Sequence, residues 1–248
     1  MAVACAGGSS QEEIERSMRE FQLAATLREE GNTAAAVEHL RKSLDLDPQN
    51  AHAHALMGFI HMERKDFQSA QTHLKEAVAL LEGRDGVGSG RTVAEIRNWQ
   101  GLALIELERY DQAVEVLRAS ASDLTNTAPH LAWGNLGLAY LETGEYEAAL
   151  QALEQAVQVQ PRFCVGYYRM GRVHFEREAL PEAAEALTKA LEADEMCEEG
   201  YQEAWRLRGE VRARLGQREQ AVRDFERCVE LAPKTEDGRA CRRFLGAD

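Results

Sequence analysis

A recurring pair of small residues constrains this chain more than any other feature. Ala24, Gly58, Gly101, Gly137, Gly171 and Gly209 are each followed twelve positions later by an alanine: Ala36, Ala70, Ala113, Ala149, Ala183 and Ala221. The small residues are 34, 43, 36, 34 and 38 positions apart, so the basic unit is 34 residues and three joints carry insertions. A fixed period in this range marks stacked supersecondary units, each too small to bury its own apolar face. Two antiparallel helices cross closely only where both lack bulk, which predicts six helix hairpins with the small residue of helix A facing the alanine of helix B. Four residues after each alanine stands a large apolar residue (Leu40, Leu74, Leu117, Leu153, Leu187, Phe225), placed to fill the seam to the next hairpin. Gly31-Asn32, Gly144-Glu145 and Gly216-Gln217 read as the turns within hairpins.

Composition agrees with an all-helical chain. There are only five prolines in 248 residues, with abundant Ala, Leu, Glu and Arg. The net charge of -13 is spread as mixed Glu and Arg and would repel a phosphate backbone, which argues against a nucleic-acid partner. No stretch approaches the roughly 18 to 20 apolar residues that span a bilayer, so any membrane attachment has to come from an end.

Trp133, Leu136, Gly137, Tyr140, Gly144, Tyr146, Ala149, Leu153, Ala156 and Pro161 resemble the tetratricopeptide-repeat (TPR) pattern almost position for position. Trp205, Gly209, Ala221, Phe225 and Pro233 carry it in the sixth unit, and Leu23, Ala24, Leu27, Ala36, Leu40 and Pro48 in the first. The resemblance implies an all-α TPR superhelix, an α-solenoid of six helix-turn-helix repeats plus a C-terminal capping helix. Its expected layout is a flexible tether over residues 1–16, repeats one and two over 17–81, a Gly-rich loop over 82–93, repeats three to six over 94–233 and the cap over 234–248. The loop (EGRDGVGSGRT) matches neither a P-loop nor a dinucleotide fingerprint and reads as a connector.

Nothing in the chain points to catalysis, a cofactor or a small-molecule substrate. His52, His54, His61 and His73 gather in one repeat but lack His-Glu-x-x-His spacing, and there is no Cys-x-x-Cys. His54 and His61 take positions where the TPR pattern has Trp and Tyr, so packing with a polar edge is the expectation and no metal site is predicted. Cys164, Cys197, Cys228 and Cys241 lie in the last third of the chain. Two readings stay open: buried free thiols, or two disulfides, Cys228 on the sixth helix B with Cys241 on the cap, and Cys164 at the start of the fifth helix A with Cys197 near the start of the next.

The opening MAVACAGGSS is similar to the end of a bacterial lipoprotein signal, with Cys5 as the candidate lipid-attachment residue and the uncharged Ala6 after it. A charged start and an apolar core are lacking. The alternatives are a sequence that begins inside its precursor and an ordinary cytosolic start with an incidental cysteine.

The repeat register also predicts a partner-binding groove on the inner face of the A helices: Phe59 and Met62, Leu102 and Ile105, Leu138 and Leu141, then Tyr168 and Phe175, with Asn98, Asn135, Arg169 and Arg172 nearby. Such a stripe suits an apolar helix or extended segment of a protein, while part of it serves packing between neighbouring A helices. In the co-chaperone type of TPR a basic clamp holds a C-terminal carboxylate. Of its five positions, here Asn98, Leu102, Asn135, Val165 and Arg169, only Asn135 and Arg169 fit.

Six repeats, the cysteine near the start, the C-terminal cysteines and the segment Ala128-Pro129-His130-Leu131-Ala132-Trp133-Gly134-Asn135-Leu136-Gly137 together resemble the type IV pilus pilotins of the PilF/PilW kind. That resemblance implies an outer-membrane lipoprotein, anchored through Cys5 at the periplasmic face, that binds monomers of the secretin PilQ and promotes their assembly for pilus-dependent motility. The rival expectation is a soluble cytosolic TPR adaptor or co-chaperone.

Overall fold

The computed structural model describes residues 9–82 and 92–246. The described residues form fourteen α-helices and no strand. They fall into two compact units, Met1–Thr127 and Ala128–Asp248.

Unit one holds three hairpins: α1 (Gln11–Glu29) with α2 (Thr33–Leu46), α3 (Ala51–Glu63) with α4 (Phe67–Leu81), and α5 (Val93–Glu106) with α6 (Tyr110–Ala121). Local chemistry sets their starts. Ser10 and Glu13 make a reciprocal capping box at α1, Thr92 and Glu95 another at α5, and Asn32, Asn50 and Asp66 cap α2, α3 and α4. The expected tether over residues 1–16 is therefore corrected: the Ser10 cap starts helix at Gln11, and Ile14 belongs to α1 itself. Residues 83–91 of the expected Gly-rich loop lie outside the described residues, between Leu81 at the end of α4 and Val93 at the start of α5.

Unit two holds α7 (Pro129–Glu142) with α8 (Tyr146–Val159), α9 (Cys164–Glu176) with α10 (Leu180–Glu192), the six-residue α11 (Glu195–Gly200), α12 (Gln202–Arg214) with α13 (Arg218–Leu231), and α14 (Glu236–Phe244), which covers α13 at the end. The 38-residue spacing is thus explained by a short helix, α11, that sequence periodicity did not foresee. Cys197 sits on this insertion and not on the following helix A.

The small-residue pattern works through a contact beyond the expected one: Gly137 faces the Ala149 backbone, its virtual Cβ 3.2 Å from the carbonyl oxygen, but meets a larger side chain more closely. A Cβ built on Gly137 would lie 2.5 Å from Leu153 Cγ, and the same clash recurs between Gly58 and Leu74, Gly101 and Leu117, Gly171 and Leu187, and Gly209 and Phe225. The large residue sixteen positions after the glycine thus presses onto the bare backbone of its own hairpin. The paired alanines, Ala36, Ala70, Ala113, Ala149 and Ala183, are fully buried beside it. Each hairpin turn also needs one left-handed residue. Gly31, Gly144 and Gly216 supply it at no cost, whereas Lys65, Glu108 and Glu178 adopt it at φ near 57–58°.

Buried polar groups tie the helices at their ends. In unit one Asn50 Nδ2 donates to Ser17 Oγ (2.9 Å) and Ser43 Oγ (3.1 Å). In unit two the Asp224 carboxylate, 1% exposed, accepts from Arg208 at 2.8 and 3.1 Å and from Arg212 at 2.8 and 2.9 Å.

Two outcomes follow. Gly137→Ala lowers stability by about 1–3 kcal/mol in denaturant unfolding, because Leu153 has to move, and Leu153→Ala in the same chain reduces the cost of the added methyl. Asp224→Ala lowers it by about 3–5 kcal/mol, since two guanidinium groups lose their carboxylate in a buried setting.

Candidate partner-binding site

In unit one, α3 and α5 lie side by side, and the turn from α3 to α4 closes one end of the space between them. Met62, Phe67, Trp99 and Leu102 line a cleft of about 390 Å³ there, with Glu63, Lys65 and Glu106 at its rim. Phe59 meets the Trp99 ring edge-on at 5.7 Å and 71°, and Glu63 pairs with Arg28. The cleft is concave, mostly apolar and bordered by charge, as partner-binding pockets are.

The expected groove is only partly a surface. Phe59, Ile105 and Leu141 are 5–7% exposed and belong to the core between neighbouring A helices, a correction to their reading as open groove residues, while Met62, 8% exposed, still lines the cleft. Leu102, Leu138 and Asn98 are half-buried. Trp99 and Phe67 were missed. Trp99 stands two residues before its glycine, the register position of Asn135 and Arg169, so the signal was present one residue beyond Asn98.

In unit two the same face is polar and interlocked. Arg169 Nη1 donates to Asn135 Oδ1 at 3.1 Å, joining α9 to α7, and burial pushes this guanidinium down to about 10. Arg172 pairs with Glu142 at 3.0 Å. The Tyr168 and Tyr201 rings lie 4.8 Å apart, and burial raises both hydroxyls above the usual tyrosine range. Arg214 covers the Phe175 ring at 4.4 Å, a cation–π contact. Arg206 binds both Glu210 and Asp237. Tyr168, Arg169, Arg172 and Phe175 are thus brought together, half-buried, as the register predicts.

The four histidines of the second repeat divide. His52 packs against Phe21 at 5.7 Å, while His54, His61 and His73 form one cluster. His54 Nε2 lies 3.1 Å from the Pro48 carbonyl, which can only accept, so this nitrogen donates. His54 Nδ1 is then the acceptor for His73 Nδ1–H, 2.9 Å away. His61 stacks on His73 at 5.6 Å and faces Asp66 at 3.0 Å. Among the described residues no group of three or more His, Cys, Asp or Glu is placed to hold a metal ion. Burial first, and then the charges of His54 and His61, push His73 down to about 4.

The structure joins Cys164 with Cys197 and Cys228 with Cys241, each pair with Cα atoms 6.3 Å apart. One bond ties α11 to the start of α9 and the other ties α14 to α13. Cys5 lies outside the described residues, and no helix among those described is long and apolar enough to cross a membrane.

Four family models, each described as tetratricopeptide repeat, match residues 27–83, 60–129, 130–163 and 202–235, together more than half of the chain. The chain belongs to the tetratricopeptide-repeat family. It is similar to the type IV pilus assembly protein PilF of Pseudomonas aeruginosa, 28% identical over 139 residues, which are 56% of this chain and 52% of that protein. The match thus spans about half of the relative's length. Among solved structures it resembles PilW, a widely conserved type IV pilus biogenesis factor, with a TM-score of 0.76 at 20% identity over 94% of this chain and 99% of that one. Pseudomonas aeruginosa PilF gives a TM-score of 0.71 at 19% identity over 94% and 100%. At these identities the structural likeness speaks for the fold. The chain is a TPR scaffold related to type IV pilus biogenesis factors.

The histidine cluster sets a pH dependence. With its folded value below the unfolded 6.5, His73 binds fewer protons in the folded state, so stability is full above pH 6.5 and falls as pH drops toward 4. His73→Gln is expected to lose less stability between pH 7 and pH 4.5 than the native chain, measured as the shift of the urea midpoint.

Proposed function

We propose that this chain is a non-catalytic protein-binding scaffold that acts as a pilotin: an outer-membrane lipoprotein, anchored through Cys5, that binds monomers of the secretin PilQ and promotes their assembly for type IV pili. The observation that carries the reading is the aromatic cleft of Met62, Phe67, Trp99 and Leu102 in a chain similar to PilF and, in fold, to PilW. An apolar segment of an unassembled secretin monomer would be covered there until a neighbouring subunit buries it. A lipid anchor would hold the scaffold at the membrane where its partner arrives and raise the local concentration of both. The narrower likeness to the myxobacterial pilotin Tgl, in length and Arg- and Ala-rich composition, belongs to the same proposal.

The paired cysteines support an oxidising compartment over the rival cytosolic adaptor, because exposed reducing pools keep such thiols apart. The Arg169–Asn135 hydrogen bond weighs against a co-chaperone clamp, since it occupies the two residues that fit that pattern.

Leu102→Glu places a carboxylate at the cleft and is expected to lower secretin oligomers in cells by about tenfold or more, with thermal unfolding of the purified chain little changed. Leu131→Glu, at an exposed position on α7, is the control and keeps them. Unchanged oligomers in Leu102→Glu, or a Cys5 without acyl chains by mass spectrometry, would overturn the pilotin reading and favour the adaptor.

A further inference from the structure

The two disulfides of unit two sit in different surroundings. Cys228 and Cys241 are both fully buried, and α14 is held by more than their bond: Phe244 stacks on Phe225 at 4.5 Å and Asp237 pairs with Arg206. Cys164 is half-buried at the first position of α9, and its partner Cys197, 7% exposed, is the only buried residue of the six-residue α11. Met196 beside it is 78% exposed, and Glu195, Glu198 and Glu199 face solvent.

Six residues are too few to hold a helix by themselves in water. Charge also works against this one, because six carboxylates from Glu192 to Glu203 stand between Lys189 and Arg206 with no cation among them. Besides the sulfur bond, α11 and its cap are tied by a hydrogen bond from Trp205 Nε1 to the Glu198 carbonyl at 2.9 Å and by the pair of Arg162 with Asp194 at 2.8 Å, whose arginine is 71% exposed. Exposed pairs of this kind contribute little. Cys197 is therefore the anchor of α11, and the helix in turn holds part of the unit-two face. Tyr201 ends α11 and begins α12, its N–H donates to the Cys197 carbonyl at 3.0 Å, and its ring lies 4.8 Å from Tyr168.

We propose that Cys164–Cys197 is a reducible latch: exchange with an external dithiol opens it while Cys228–Cys241 stays closed, and the opening frees α11 together with the Tyr201 side of the unit-two face. A thiolate of the dithiol attacks Cys164, the more exposed of the two residues, and a new sulfur–sulfur bond forms there. The Cys164–Cys197 bond breaks, and Cys197 leaves as a thiolate that takes a proton from water. The second thiolate of the dithiol then attacks its own bound sulfur and displaces Cys164, which departs at the amino end of α9, where open backbone N–H groups stabilise a thiolate. Two electrons and two protons pass to the cysteine pair, and the dithiol becomes a disulfide. An oxidised dithiol reverses the steps and closes the latch. The device is separate from the pilotin reading, whose cleft lies in unit one.

The probe is dithiothreitol, added to the native full chain at neutral pH without denaturant. Free thiols are trapped with iodoacetamide at intervals and each cysteine is quantified by peptide mass spectrometry, Cys5 separately. Cys164 and Cys197 are expected to be labelled at least about tenfold faster than Cys228 and Cys241, with far-ultraviolet circular dichroism little changed. Opening is expected to speed cleavage by a glutamate-specific protease at Glu195, Glu198 and Glu199 at least about tenfold. It is also expected to shift the NMR signals of Tyr168 and Tyr201 in a tyrosine-labelled chain while Tyr146 stays, and oxidised dithiothreitol restores both readouts. The double variant Cys164→Ser, Cys197→Ser is expected to show the same cleavage and shifts without reductant; should it unfold, the native chain's trapping and cleavage rates decide. Labelling of all four cysteines at one rate, no labelling short of unfolding, α11 as protected after reduction as before, or unmoved tyrosine signals would each overturn the proposal.

Discussion

The structure depends on a single repeated contact: a leucine or phenylalanine of helix B pressed against the bare backbone of a glycine on helix A. The approach, with a virtual Cβ only 2.3–2.6 Å from the intruding side chain, is available only where no Cβ exists. It sets the distance between the two helices of a hairpin. Everything further out follows from that distance: the full burial of the paired alanines, the single left-handed residue that suffices for the turn, and the slot into which the next helix A can pack. The first hairpin manages with Ala24 in place of glycine and remains completely buried there.

Close hairpins leave little room between successive A helices, and this decides what is surface. Phe59, Ile105 and Leu141 are consumed by the seams, so the more open groups are those at neighbouring register positions. In unit one these are Trp99 and Leu102 beside Phe67, a mainly apolar cleft. In unit two the matching positions carry Asn135 and Arg169, already hydrogen-bonded to each other, with Glu142 and Arg172 paired beside them. The open apolar surface of these faces is therefore concentrated in unit one, where aromatic side chains replace the polar ladder.

The chain is strongly acidic, yet its buried charge is handled locally. Asp224 is matched by two arginines, and Arg206 by two carboxylates, so each carries its counter-ions within hydrogen-bond reach. The histidines follow another rule: His54 and His73 stay bonded only while one of the two facing nitrogens lacks a proton. Neutral packing is cheap at neutral pH and costly in acid, which makes the second repeat the acid-sensitive part of unit one.

By itself the sequence determined the number of hairpins, their period and the small residues where each hairpin closes, because close helix crossing demands small side chains at fixed intervals and that demand is written in one dimension. It also placed Tyr168, Arg169, Arg172 and Phe175 on one face, since helical register is local. Tertiary structure decided what no local pattern encodes. Whether Phe59 lies in a groove or in a seam depends on how tightly the next hairpin docks. That Gly137 meets the Leu153 side chain as well as the Ala149 backbone depends on the crossing geometry. The four-residue excess before the sixth repeat became α11, anchored by Cys197, because its ends are fixed by α10 and α12.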